Sequence, residues 1–213
     1  MITFKMFLEN ANIRRLDILA KEKYLTKAHQ VLSKSVDPKD FTGNHIGALQ
    51  HYTDDSKNIN KQIRKAYNEG KHPSEVLSTK NDRTRIRLDH AITKTKPLNS
   101  SVHVYHGVSV DPRKDTHDKV WMNKNYTSTS LNPQHAAEFS GKAHGGHVIH
   151  FHLAKGSKHG IYADGLNRSQ VTMDPEHEYI LAHGQKWKHV GSEEVKHEHS
   201  SYTLHHMIPH KED

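Results

Sequence analysis

The chain has 213 residues, no cysteine, and 31 Lys+Arg against 24 Asp+Glu, for a formal net charge of +7. This length suits one domain with an N-terminal extension, and the lack of thiols excludes disulfides, thiolate metal sites and a cysteine nucleophile. The basic balance favours anionic partners, nucleic acid or a phosphorylated cofactor, but no Lys/Arg block marks a nucleic-acid surface.

Apolar residues recur at spacings of three and four from Phe4 to Leu8, then at Ile13, Leu16, Ile18, Leu19, Tyr24, Leu25, Ala28, Val31 and Leu32. That period predicts helix, ended by Asp37-Pro38. Further helices are predicted near Asn44–His51, near Ile59–Glu69 and over Asn81–Thr93, the last capped by Asn81 or Asp82. From Val102 the pattern changes to short runs bounded by Gly, Pro and Asn. It predicts strands at Val102–Val108, Tyr126–Ser130, His147–Leu153, Glu178–Ala182, Trp187–Glu194 and Tyr202–Ile208. One helix, Pro133–Phe139 with Asn132 as cap, interrupts them. Within His147–Leu153, Ile149, Phe151 and Leu153 share one face, and His150 and His152 the other. Helices first and strands afterwards predict an α+β fold. Residues 1–43 read as a helical extension and 44–213 as the domain that carries the chemistry. No stretch has the apolar length of a membrane span or the uninterrupted apolar core of a signal peptide. A soluble, intracellular and monomeric protein without membrane partners is expected.

The stretch Glu176-His177-Glu178 opens the apolar run Tyr179-Ile180-Leu181. At a strand start, side chains two apart point to the same face, so both carboxylates project together. Paired carboxylates divide their roles: one is pushed towards proton transfer while the other stays ionised. The 22 histidines, notably His197-Glu198-His199 and His205-His206, invite a metal reading. Zinc needs three or four converging ligands, and spacing supplies only two, so no metal is expected and most of the histidines are read as solvated.

Four segments line up in order: Val104-Tyr105-His106-Gly107-Val108, Tyr126-Thr127-Ser128-Thr129-Ser130-Leu131, Phe139-Ser140-Gly141-Lys142 and Glu176-His177-Glu178. Together they resemble the Arg–Ser–Glu type of mono-ADP-ribosyltransferase, the group of clostridial binary toxins, C3-like exoenzymes and related phage enzymes. The resemblance covers about residues 44–208, including Tyr52-Thr53 and the stretch from Ile59 to Arg64. It implies a helical lobe followed by two roughly perpendicular antiparallel sheets that enclose an NAD cleft. Breaking the nicotinamide–ribose bond creates an oxocarbenium-like centre, the charge problem that glycosidases solve with a carboxylate. By the resemblance, Glu178 faces that centre and grips the ribose, while Glu176 accepts the proton of the incoming nucleophile. Glu at the first position goes with arginine acceptors. Ser128 would brace Glu178, and Thr129 and Ser130 would shape the same edge. Tyr52 and Asn60 would contact NAD, Phe139 would flank nicotinamide, and Lys142 would bind phosphate.

One position departs from the pattern. The strand motif of this class carries Arg, as Tyr-Arg-Gly, whereas this chain has Tyr105-His106-Gly107. His-Gly at this place resembles the diphtheria-toxin and poly(ADP-ribose) polymerase class, in which histidine bonds the adenosine ribose. Imidazole can bond a ribose hydroxyl or a phosphate oxygen, but it lacks a permanent forked charge. Gly107 would let the nicotinamide amide approach the backbone. The segment Thr3 to Ala11, with Phe7-Leu8-Glu9, resembles the capsid-targeting leader of internal proteins in T-even-type phages. It implies packaging in the virion and action in the host cytoplasm on a bacterial protein, or on RNA. Two other readings stay open: NAD glycohydrolysis, and a non-catalytic module that keeps the fold.

Overall fold

The computed structural model describes residues 18–141, 144–166, 177–197 and 200–210. Among the described residues three helices come first: α1 (Ile18–Ser35), α2 (Gly43–Asn68) and α3 (Thr79–Lys94). Nine strands follow, with one short helix among them: β1 (Val102–Val108), β2 (Thr116–His117), β3 (Val120–Asn123), β4 (Thr127–Thr129), α4 (Pro133–Glu138), β5 (His144–Leu153), β6 (Gly160–Tyr162), β7 (Tyr179–Leu181), β8 (Gln185–His197) and β9 (Ser200–Pro209). No helix among the described residues is long and apolar enough to cross a membrane.

The α+β expectation holds, with local corrections. The helices expected near Asn44–His51 and Ile59–Glu69 are one element, α2, kinked at Asp55 (φ −127°, ψ 28°). Nothing between them forbids helix, so the chain bends instead of stopping. Helix α3 starts two residues early because Ser78, and neither Asn81 nor Asp82, is its cap, accepting from the Asn81 amide. Asp82 instead pairs with Arg85 one turn on, at 2.9 Å. Asn132 caps α4 as expected, accepting from the Gln134 amide. Strands β2, β3 and β6 carry too few residues for a readable alternation.

The larger sheet has the order β1-β5-β9-β8-β3-β2 and the smaller one the order β4-β7-β6. Every pairing is antiparallel except β5–β9, so the larger sheet is mixed. A mutual backbone pair, Tyr105 with Ser130 at 2.8 Å both ways, joins β1 to the residue after β4 and so links the two sheets.

One core cluster contains Leu32, Ile59, Ile63 and Leu88 from the helices, Val104, Phe151 and Trp187 from the larger sheet, and Tyr162, Tyr179 and Leu181 from the smaller. Helix α1 is therefore part of the same core as the strands. Truncating a fully buried leucine such as Leu32 to alanine typically costs about 2–5 kcal/mol. A second cluster (Tyr105, Ala136, Ala137, Val148, Tyr202 and Leu204) holds α4 against the sheet.

Alternation along β5 puts Ile149, Phe151 and Leu153 in the core, as expected. The opposite face is not solvated, however. His150 is buried between His103 (2.7 Å) and His206 (2.8 Å), and its ring stacks on Tyr105. His45 and His205 are buried as well, so these residues are not among the solvated histidines. Neutral imidazoles satisfy one another by hydrogen bonding, which lets them occupy the interior.

Candidate active site

An open cleft of about 810 Å³ lies between α2, β1, β4, α4 and the residue before β7. Its lining brings together Tyr52, Asn60, His106, Gly107, Ser128, Thr129, Ser130, Phe139 and Glu178, all named from sequence. Glu176 and Lys142 lie outside the described residues, as does Met173.

Helix α2 supplies one wall through Tyr52, Thr53, Ser56, Lys57, Asn60, Lys61 and Arg64. These positions repeat at helical spacing, so one stripe of the helix faces the cleft. Tyr52 and Asn60 are two turns apart on that stripe, and one more turn reaches Arg64. This progression was the signal by which Arg64 could have been found. Lys57, Lys61 and Arg64 provide the positive charge that His106 lacks. Tyr52 is buried, and its hydroxyl lies 3.3 Å from the Tyr126 carbonyl and 3.1 Å from Asn60 Nδ2. Burial pushes its phenol up to about 12; hydrogen bonds from Ser128 and Asn60 oppose this, while the charge of Glu178 adds to it. Tyr52, Ser128 and Glu178 thus line the same cleft and act on one another.

The Tyr126 carbonyl that receives Tyr52 and Asn60 belongs to a residue anchored on α3. Its phenol donates to Asp89 and lies 3.1 Å from the Arg85 carbonyl. Burial alone would raise the Asp89 pKa, but bonds from His183 and Tyr126 outweigh it and hold the carboxyl below its usual range.

Strand β4 is fixed to β7 in the register Ser128↔Ile180 and Thr129↔Tyr179. The Thr129 hydroxyl donates to the Tyr179 carbonyl at 2.6 Å, tying the strand next to Glu178. Ser130 Oγ accepts from the Asn132 amide at 3.0 Å, which sets the turn into α4. Glu178 is half-buried, and its own carbonyl accepts from the Ala163 amide at 3.0 Å. Before it stands His177 with φ +49°, a left-handed conformation that is uncommon for a residue with a side chain. The His177 ring is 3.2 Å from the Tyr162 hydroxyl and 3.5 Å from Asp164, and His29 of α1 approaches the same hydroxyl at 2.6 Å.

His106 Nδ1 is 2.8 Å from the Ser128 carbonyl oxygen. A carbonyl only accepts, so Nδ1 carries the proton. Burial pushes this imidazole down to about 4, and the charge of Arg64 acts in the same direction. The ring is therefore neutral, and Nε2 keeps its lone pair.

Gly107 has a reason beyond access to the backbone. A Cβ there would lie 1.9 Å from the Ala136 carbonyl oxygen and 2.8 Å from the Ser140 nitrogen, so glycine lets α4 pack on β1. Phe139 is 67% exposed, with its ring 5.0 Å from that of His135, so it does not serve core packing. His135 also lines the cleft and was not foreseen.

The fold is similar to that of Plx2a, an ADP-ribosyltransferase toxin from Paenibacillus larvae (TM-score 0.65, 18% identity, 90% of this chain and 96% of that one). It is also similar to the Clostridium limosum C3 exoenzyme (TM-score 0.61, 16% identity, 88% and 94%). C3stau2 from S. aureus, solved with NAD, is a third similar structure (TM-score 0.58, 17% identity, 91% and 97%). A search of curated protein sequences gave no match. The sequence model of the ADP-ribosyltransferase exoenzymes matches residues 21–208, so the chain belongs to the ADP-ribosyltransferase exoenzyme family.

Proposed function

We propose that the protein transfers ADP-ribose from NAD to arginine side chains of a bacterial protein. The observation that carries this reading is one cleft that holds Glu178 with Ser128 and Tyr52, and the cations Lys57, Lys61 and Arg64. The substrate combines a pyrophosphate, which needs cations, with a ribose whose anomeric carbon becomes cationic during reaction, which needs a carboxylate.

In this reading Glu178 stabilises the oxocarbenium-like centre as neutral nicotinamide leaves. A guanidine nitrogen of the acceptor then forms the new bond to the anomeric carbon, and Glu176 takes its proton. The arginine preference rests on the glutamate at position 176. His106 accepts a ribose hydroxyl through Nε2, and Arg64 binds phosphate. Phe139 on the cleft rim flanks nicotinamide or the acceptor. A bacterial acceptor is suggested by the leader-like segment Thr3 to Ala11.

The test is to incubate the protein with a bacterial lysate and NAD labelled in its adenosine. Label joined to protein through hydroxylamine-sensitive arginine linkages is expected. Free ADP-ribose as the sole product would replace this reading with glycohydrolysis, and intact NAD would reduce the chain to a binding module.

A further inference from the structure

Outside the NAD cleft, three segments bring metal-ligating side chains together. Asp111 lies in the loop after β1, His147 on β5 and His205 on β9. Strands β5 and β9 run parallel with His147 opposite Thr203 and Ile149 opposite His205. The two histidines are thus two positions apart along adjacent strands and share a face. His147 Nδ1 is 3.0 Å from His205 Nε2, and Asp111 Oδ1 is 4.0 Å from the same nitrogen. One donor atom from each residue lies within 4.8 Å of the others.

The support behind His205 suits a ligand. The residue is fully buried, and its other nitrogen, Nδ1, is 2.9 Å from Ser192 Oγ. Ser192 reaches that position because the β8–β9 register shifts between His189 and Gly191. Ser192 Oγ is in turn 2.8 Å from His189 Nε2. With Nδ1–H donated to Ser192, Nε2 directs its lone pair towards His147 and Asp111, as ligating histidines commonly do.

We propose that Asp111, His147 and His205 form a binding site for a first-row divalent cation of the zinc type, with water completing the coordination. Two imidazoles and a carboxylate match the nitrogen and oxygen preference of Zn²⁺, at bond lengths of about 2.0–2.2 Å. Tetrahedral geometry at those lengths separates donor atoms by about 3.3–3.6 Å, between the His147–His205 and Asp111–His205 separations. The ion ties the loop after β1 to two central strands in a chain that has no disulfide. Arg113 opposes it: its guanidinium donates to Asp111 at 2.6 to 3.0 Å and adds a positive charge beside the site.

The experiment uses untagged, chelator-treated full-length protein titrated with Co²⁺ and followed by visible absorption, with Zn²⁺ competition and melting temperature as further readouts. Twenty-two histidines guarantee weak scattered binding, so the discriminating result is one equivalent with ligand-field bands that Zn²⁺ abolishes. His147→Ala and Asp111→Asn should each weaken that equivalent at least tenfold. Asn keeps an oxygen for the amide of Arg113, which preserves the local turn. Arg113→Ala should tighten binding, and His117→Ala, on an exposed histidine outside the trio, should change nothing. Folded His147→Ala and Asp111→Asn proteins with unaltered one-equivalent binding would overturn the site, as would wild type without bands. The trio would then be a hydrogen-bonded histidine pair beside an Arg–Asp bridge.

Discussion

His106 Nδ1 donates to the backbone carbonyl of Ser128 across 2.8 Å, so a side chain of β1 bonds directly to β4 inside the cleft. The bond fixes the tautomer and, with burial, the charge: the imidazole is neutral and offers Nε2 as an acceptor. Two outcomes follow. His106→Ala should raise the KM for NAD and lower stability, since the lost hydrogen bond contributes about 0.5–1.5 kcal/mol. In the wild type, NAD affinity should stay flat from about pH 6 to 8, because a group with its pKa near 4 does not titrate there. Affinity that falls as pH rises through this range would mean a phosphate-bound imidazolium instead.

In the proposed function the phosphate-binding cation is Arg64, one helical turn beyond Asn60 on the cleft face of α2. Charged hydrogen bonds are worth about 1.5–3 kcal/mol, so Arg64→Gln should raise the KM for NAD by about 10- to 100-fold. The salt dependence of NAD binding should weaken in the same variant. A KM within twofold of wild type would move the phosphate site to another residue.

Glu178→Gln keeps shape and hydrogen bonding but removes the charge that, in the proposed reaction, faces the anomeric carbon. Both transfer and hydrolysis should fall by about 10²-fold or more, with the melting temperature little changed. Glu176→Gln should separate the two activities, retaining hydrolysis while arginine modification is lost. Equal loss of both would remove Glu176 from the acceptor role and with it the basis of the arginine preference.

His177 holds a positive φ directly before Glu178, with its ring beside Tyr162 and Asp164. Glycine adopts this conformation without penalty, whereas other residues pay about 1–2 kcal/mol. His177→Gly should therefore retain a higher melting temperature and kcat than His177→Ala. The reverse order would indicate that the ring contacts, and not the backbone, position the glutamate.

Burial holds the imidazoles of His103, His106 and His205 down to about 4 and that of His150 well below its ordinary value. Below about pH 6.5 the unfolded chain binds protons that the folded chain refuses, so stability falls as pH drops from there towards 4. Each such group contributes on the order of 1–3 kcal/mol to that loss. Melting curves from pH 8 to pH 4.5 should show a steep decline below about pH 6. A flat profile would mean that these rings are hydrated.

Local sequence pattern located helix α4 and its Asn132 cap, strand β1 to the residue, and the core face of β5, because each is a local property of consecutive side chains. The motifs likewise named residues that the structure gathers in one cleft, since their types answer to the chemistry of the substrate. The sequence could not reveal which distant segments meet. The Tyr105–Ser130 pair sets β1 against β4, and only that contact decides that His106 donates to Ser128 instead of meeting solvent. The same holds for the second face of β5, where His103 and His206 arrive from other strands and make burial of His150 tolerable. Spacing gave His205 no third metal ligand, because Asp111 reaches it from a loop 94 positions earlier in the chain. Local pattern records which way a side chain points; long-range packing decides what it meets there.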